Sequence, residues 1–235
     1  MSRIDSERRR VLAVSAHPDD AEFTSGGTLA RWTDEGWTAY LAVGTDGGKG
    51  SHDPNLDPRV LALRRRQEQQ DAANTLGIAE VVFLDHPDGG LSTTPALAEE
   101  LALLIRRLLP HRLLGWDPWK RYQLHPDQRA AGNPHYFPEQ LTQGVATHQV
   151  PEVYLFGAAP PRPKGARWVD ITATFERKMA AIERHASHPR AGLADEPLRP
   201  GLRGTERRCL RRGLQSAASV LRHLMLSCVA PCGPK

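Results

Sequence analysis

The sequence contains no apolar run of the ~18 residues that a membrane-spanning helix requires. Its N-terminal stretch, MSRIDSERRRVLAV, places charges before an apolar segment, but that segment is short and has no small-residue cleavage site. A secretory signal is therefore not predicted, and we expect a cytoplasmic protein.

Cysteine and aromatic side chains are also scarce, and both absences bear on the C-terminal part of the chain. All three cysteines lie there, without the second pair or histidine cluster that a zinc site needs, so reduced thiols are expected at Cys209, Cys228 and Cys232. Eight arginines follow Pro189, but no aromatic residue lies among them, and a stacking platform for nucleic-acid bases is therefore missing. We expect no nucleic-acid partner.

What is present fits one large α/β domain, since 40% of the 235 residues are apolar and 25% are charged. Strand-like segments alternate with helical patterns, which predicts a mostly parallel sheet with helices on both faces. The predicted strands are 10–16, 37–45, 79–85, 112–116, 150–157 and 168–172, and the predicted helices are 59–76, 95–109 and 173–186. We assign residues 1–188 to this domain and 189–235 to a basic tail. The composition of the tail suggests poor order, although the spacing of its apolar residues over 214–226 is compatible with one helix.

Four polar loops rich in glycine and proline follow predicted strands. In open parallel sheets ligands bind beyond the carboxyl ends of the strands, so these loops converge on the edge where a site is expected. In chain order they are HPDD at 17–20, TDGGKG at 45–50, HPDGG at 86–90 and DPWKRYQLHPDQ at 117–128.

The first of these loops suggests a metal site. Pro18 fixes a turn that can bring the side chains of His17 and Asp20 onto one ion, and zinc accepts both imidazole and carboxylate ligands. A dication would also explain how two adjacent carboxylates remain ionised, while Asp19 points elsewhere and acts on metal-bound water. The alternative is structural, with Asp19 and Asp20 capping the helix that follows.

A second His-Pro-Asp sequence lies in the last loop, where Asp127 is placed to orient His125, a pairing common in catalysis. A third begins at His86, and either of these two copies is equally compatible with a simple turn. Three further histidines show no recognisable spacing and are expected at the surface: His148, His185 and His188.

These motifs, in this order and spacing, resemble the LmbE/PIG-L family of zinc-dependent deacetylases. The shared elements are AHPDDAEF, TDGGKG, RRRQEQ with its later LG, HPDG and the second HPD, over roughly residues 10–187. The resemblance implies a Rossmann-like α/β fold, zinc as cofactor, and removal of acetyl groups from N-acetylglucosamine carried on another group. The resemblance also makes homo-oligomer formation an expectation, since it is common in the family.

The resemblance implies roles for the HPDD residues, with His17 and Asp20 as zinc ligands and Asp19 as general base. At the third ligand position the family has histidine and this chain has Gln128, whose neutral oxygen suits harder cations better than zinc. Three outcomes stay open. Gln128 binds the metal through its oxygen, or the site binds little metal, or a nearby histidine takes the position, namely His135 or His52.

The remaining implied roles concern the substrate. His125 would stabilise the tetrahedral intermediate and help protonate the leaving amine, and Asp127 would orient it. Looser matches place Arg65 and Asp88 near sugar hydroxyls. The sequence therefore predicts a hydrolase, dependent on Zn²⁺ or another divalent cation, that deacetylates an N-acetylglucosamine-type small-molecule glycoconjugate. The alternative is a sugar- or small-ligand-binding module that is impaired in catalysis because of Gln128.

Overall fold

The computed structural model of the protein describes residues 9–51, 53, 55–92, 94–116, 138–156, 166–187 and 223–229. Its strands are β1 (Arg10–Ser15), β2 (Thr38–Thr45), β3 (Glu80–His86), β4 (Arg112–Trp116), β5 (Glu152–Phe156), β6 (Ala166–Asp170) and β7 (His223–Val229). Its helices are α1 (Asp20–Thr24), α2 (Gly26–Asp34), α3 (Pro58–Leu76), α4 (Pro95–Leu108), α5 (Pro138–Thr142) and α6 (Phe175–Glu183), the last preceded by a 3₁₀ turn at Thr172–Thr174. None of the described helices is both long enough and apolar enough to cross a bilayer.

The strands form one sheet in the order β3-β2-β1-β4-β5-β7-β6. β1 lies at the centre of the parallel part, with Val11 opposite Ala39 of β2 and Arg112 of β4. The pairs β2–β3 and β4–β5 are also parallel, whereas β7 runs antiparallel to both of its neighbours. The predicted α/β fold with a mostly parallel sheet is confirmed.

Residues 223–226 correct the sequence analysis, because they lie in β7 and not in a helix. Apolar spacing in a short segment cannot distinguish a helix from a buried strand. Here the free edges of β5 and β6 supply backbone partners on both sides of the segment, and that pairing decides the conformation. The other residues proposed for this helix lie outside the described part of the chain, and the boundary between domain and tail at residue 188 stays a prediction.

Helices cover both faces of the sheet, as predicted. Successive residues of a strand point to opposite faces. Val11 therefore packs in one core cluster with Leu29 of α2 and Leu76 of α3, while Leu12 packs in a second cluster with Leu101 of α4. The site described below lies where β1 ends between these two layers.

The ends of the two longest helices follow local signals in the sequence. Thr94 caps α4 by accepting a hydrogen bond from the N–H of Leu97, and Pro95 occupies the first helical position. Gly77 ends α3 with a φ of +78°, the left-handed conformation that glycine adopts without strain. Both boundaries were predicted.

Candidate active site

The loop after β1 is closed by the side chain of Asp20. Its Oδ2 accepts hydrogen bonds from the backbone N–H groups of Ala16 (3.1 Å) and His17 (2.9 Å), so the carboxylate folds back over the turn. The same oxygen lies 3.6 Å from Nδ1 of His17. The pairing of His17 with Asp20 that the sequence predicted is thus present, and it is fixed by the backbone.

The loops after β2 and β3 complete one connected surface with this turn. Oδ1 of Asp88 lies 3.1 Å from Nε2 of His17, and Oδ2 of Asp88 accepts the N–H of Lys49 at 3.1 Å. Asp46 ties the loops further, because its Oδ1 accepts the N–H groups of both Gly48 (2.9 Å) and Asp88 (3.1 Å). The predicted convergence is confirmed for these three loops. The fourth, at 117–128, lies outside the described residues.

His17 is surrounded by carboxylates. The hydrogen bond that the Asp20 carboxylate accepts from the imidazole raises the pKa of His17 above its usual value, and burial partly offsets this. The negative charges of Asp20, Asp88 and Asp19 also raise it. A site that draws a proton onto an imidazole in this way also favours a metal cation in the proton's place. The side chain of His17 keeps 39% of its surface exposed, so the imidazole can be reached from solvent.

Asp19 is held apart from this pair and is deeply buried, with 5% exposure. Its backbone has a φ of +110°, an unusual value for a residue with a side chain and one that costs about 1–3 kcal/mol. Burial raises the pKa of Asp19 to about 6, although the nearby charge of Arg65 opposes the shift. The pKa of the Asp19 carboxylate therefore lies close to neutral pH, as a general base requires.

Arg65 holds the HPDD loop against the loop after β2. Its guanidinium donates to Oδ2 of Asp19 (2.6 Å) and to the backbone oxygens of Pro18 (2.7 Å) and Gly47 (3.0 Å). A Cβ added at Gly47 would lie 2.8 Å from Nη1 of Arg65, and one added at Gly50 would lie 2.5 Å from it. These glycines of TDGGKG therefore make room for the guanidinium. The predicted contacts of Arg65 and Asp88 with sugar hydroxyls stay predictions.

Three buried residues join the site although the sequence analysis gave them no role in it. Oε1 of Gln69 accepts the N–H of Asp19 at 2.9 Å, and Nε2 of Gln69 donates to Glu22, also at 2.9 Å. Glu22 in turn lies 3.3 Å from His185. The expectation of a surface position for His185 is wrong, since the residue is 1% exposed. One signal was available, because Gln69 follows Arg65 by four residues and therefore shares its face of α3.

The donor set fits a metal ion in part. Two ligands bound to a tetrahedral zinc at 2.0–2.1 Å lie about 3.3 Å apart, and the observed 3.6 Å between His17 and Asp20 is close to that distance. Nε2 of His17 contacts Asp88, which is how a carboxylate commonly orients a metal-binding imidazole. No cluster of three His, Cys, Asp or Glu suited to a metal occurs among the described residues. A third ligand must come from elsewhere. The predicted residues of the second His-Pro-Asp loop lie outside the described part of the chain, as do both histidines proposed to replace Gln128. They are His125, Asp127, Gln128, His135 and His52.

Comparison with known proteins relates this arrangement to a family of deacetylases. A sequence model of that family, described as PIG-L: GlcNAc-PI de-N-acetylase, matches residues 12–134. A diacetylchitobiose deacetylase of Thermococcus kodakarensis is 32% identical over 190 residues, which cover 76% of this chain and 70% of the relative.

Two solved structures share the fold. An N,N′-diacetylchitobiose deacetylase of Pyrococcus horikoshii superposes with a TM-score of 0.75 at 23% identity, covering 97% of this chain and 88% of the other. A 4-carboxy-2-hydroxymuconate hydratase of Pseudomonas putida gives 0.70 at 24% identity, with coverages of 97% and 98%. The same architecture thus carries deacetylases and a hydratase, and only the site residues can decide between such activities.

Proposed function

Because the chain belongs to the PIG-L family of de-N-acetylase domains, we propose that it is a metal-dependent hydrolase that deacetylates an N-acetylglucosamine-type conjugate. The observation that carries this proposal is the HPDD turn. In this turn, Nδ1 of His17 lies 3.6 Å from Oδ2 of Asp20. Asp19, which precedes Asp20 in the chain, is buried and has a raised pKa. Relatives that act on acetylated glucosamine derivatives support the choice of substrate class.

His17, Asp20 and Gln128 are the residues that would hold the metal, with Zn²⁺ the first choice and a harder divalent cation the alternative. The chemistry that such an ion would supply there is polarisation of an acetamide carbonyl and a lowering of the pKa of water toward ~7. Asp88 would keep the His17 imidazole oriented through the contact with Nε2, and the backbone N–H groups of Ala16 and His17 would hold the Asp20 carboxylate.

Asp19 would accept the proton of the attacking water. With a pKa of about 6 it is mostly ionised at neutral pH and still basic enough to take up a proton during the reaction. Arg65 holds the carboxylate in place through a 2.6 Å hydrogen bond and stabilises its charge before the proton arrives. The bond that breaks is the amide C–N bond, and the products are acetate and a free amine.

His125 and Asp127 complete the proposed reaction from the sequence pattern. His125, protonated, would stabilise the oxyanion of the tetrahedral intermediate and then transfer its proton to the leaving amine, with Asp127 orienting the imidazole. Arg65 and Asp88 remain the candidates for contact with sugar hydroxyls. We further propose a cytoplasmic enzyme that acts on a small-molecule glycoconjugate without a nucleic-acid partner, working as a homo-oligomer.

Gln128 favours a second candidate function. A neutral amide oxygen binds zinc more weakly than an imidazole does, so a protein with this ligand set is also suited to bind a sugar or another small ligand without cleaving it. In that case His17, Asp20 and Asp88 would contact ligand hydroxyls instead of a metal.

Metal analysis and amine release distinguish the two functions. The purified protein, before and after Zn²⁺ addition, is assayed for bound metal and for free amine formed from diacetylchitobiose and from an N-acetylglucosaminyl malate. We expect turnover that requires metal and is lost in Asp19→Asn, and higher zinc affinity in Gln128→His. Sugar binding without amine release in both the natural protein and Gln128→His would overturn the hydrolase proposal in favour of the binding module.

A further inference from the structure

A row of buried hydrogen-bonding side chains begins at the backbone of Asp19 and has no part in the reaction described above. Hydrogen bonds run from the N–H of Asp19 to Oε1 of Gln69 and from Nε2 of Gln69 to Oε1 of Glu22, each at 2.9 Å. Beyond them, Nε2 of His185 lies 3.3 Å from Oε2 of Glu22, an ion-pair distance without a hydrogen bond. Gln69 and Glu22 have no exposed surface, and His185 is 1% exposed. Burying the Gln69 amide and the Glu22 carboxylate is unfavourable unless they meet partners, so the two hydrogen bonds of Gln69 impose a specific geometry.

The geometry it imposes is that of the proposed base. Asp19 has a φ of +110°, which a residue with a side chain adopts only where surrounding contacts enforce it. Two side chains of α3 supply such contacts, one to the side chain of Asp19 and one to its main chain. Arg65 binds the carboxylate and Gln69, four residues later, binds the main-chain N–H. The contact with Gln69 is thus a buried hydrogen bond that holds the N–H of Asp19 in the left-handed conformation.

Glu22 decides which way the Gln69 amide faces. An amide presents an oxygen acceptor on one side and an NH₂ donor on the other, and only one orientation offers oxygen to Asp19. A carboxylate oxygen of Glu22 at 2.9 Å accepts from Nε2 and so favours that orientation, because the flipped amide would set oxygen against oxygen and N–H against N–H. His185, just after the end of α6, lies against the other oxygen of Glu22.

We propose that Gln69 is a positioning residue for the hydrolysis, acting through the main chain of Asp19, and that Glu22 sets the orientation of its amide. The inference rests on the proposed function, in which Asp19 is the base. Gln69 contacts neither metal nor substrate in this account, so its removal should slow the chemical step and leave binding unchanged.

The first experiment compares Gln69→Leu with Gln67→Leu in the zinc-loaded protein. Gln67 is an exposed residue of the same helix whose Nε2 donates to Asp71, so the control makes the same chemical change outside the row. In Gln69→Leu we expect kcat to fall by about ten- to a hundredfold, with KM and zinc affinity within about twofold of the natural protein. The control should retain its kcat. Equal losses in both variants, or a loss of zinc affinity that matches the loss of kcat, would overturn the proposal.

A charge swap separates hydrogen bonding from packing. Gln69→Glu alone sets two carboxylates against each other, and we expect it to be at least as impaired as Gln69→Leu. The double variant Gln69→Glu/Glu22→Gln restores an acceptor for Asp19, a donor between the two side chains and an acceptor facing His185. It should recover kcat to within about fivefold of the natural protein. A double variant no better than Gln69→Glu would contradict the assigned role.

Amide hydrogen exchange keeps this test independent of the proposed activity. The N–H of Asp19, followed by NMR, should exchange at least about tenfold faster in Gln69→Leu than in Gln67→Leu. If the natural protein shows no hydrolase activity while the Asp19 amide is protected by Gln69, the proposed function fails and the positioning contact stands. If exchange at Asp19 is the same in both variants, the positioning role itself is refuted.

Discussion

Removing Arg65 should destabilise the protein far more than removing its neighbour Arg66, although both lie on α3 and both pair with an aspartate. The side chains of Arg65 and Asp19 are 6% and 8% exposed and are joined at 2.6 Å. Those of Arg66 and Asp85 are 48% and 57% exposed at the same distance. The two ion pairs therefore have the same length and differ strongly in burial, and Arg65 alone of the two also donates to the backbone oxygens of Pro18 and Gly47.

The expected magnitudes follow from that difference. Breaking a buried pair by removing one partner typically lowers the free energy of unfolding by about 3–5 kcal/mol, and here the oxygens of Pro18 and Gly47 lose a donor as well. An exposed pair contributes about 0–1 kcal/mol. We expect Arg65→Met to lose about 3–5 kcal/mol at pH 7 and Arg66→Met to lose less than about 1 kcal/mol.

The assay is urea unfolding of the chelator-treated protein, followed by tryptophan fluorescence at pH 7 and pH 5. The loss in Arg65→Met should be smaller at pH 5, because Asp19, with a pKa of about 6, is then largely protonated and no longer needs a countercharge. A loss below about 1 kcal/mol at pH 7, or equal losses in the two variants, would refute the claim that Arg65 compensates a buried charge.

Three further outcomes are expected. In the chelator-treated protein, folding raises the pKa of Asp19 from 3.8 to about 6, so its contribution to the free energy of unfolding is fully present below pH ~4 and is lost as pH rises through 6. In urea titrations, the stability of the natural protein relative to Asp19→Asn should therefore fall by about 3 kcal/mol over that interval. A constant difference between the two proteins would contradict this. Gly27→Ala places a Cβ 2.6 Å from Cδ1 of Ile171, and calorimetry should show a Tm lower by several degrees, whereas an unchanged Tm would mean that the two segments separate freely. Thr94→Ala removes the cap of α4 and should cost about 1 kcal/mol in urea unfolding, with a cost near zero arguing against the side-chain hydrogen bond.

The parts of the fold that were predictable share a local cause. Pro95 after Thr94, Gly77 after Leu76 and the alternation of apolar strands with helices act through neighbouring residues. The HPDD turn belongs to the same class, because Asp20 folds back onto backbone groups only three and four residues away. Such features do not depend on what packs against them.

The unpredicted parts have long-range causes. His185 is 163 residues from Glu22 in the chain, and nothing in its own neighbourhood indicates burial. The strand conformation of residues 223–226 depends on pairing with the edges of β5 and β6. The contact of Asp88 with His17 depends on the register in which β3 pairs with β2. Each is decided by partners that the local sequence does not specify.

By itself, the sequence of this protein determined a parallel α/β domain, the edge of the sheet at which its polar loops meet, and the pairing of His17 with Asp20. Only the tertiary structure decided that Asp19 is buried against Arg65 and held by Gln69 at its main chain. The physical reason is that hydrogen bonds within a turn are set by residues a few positions apart. The burial and pKa of a carboxylate depend instead on side chains that folding brings from a distant helix.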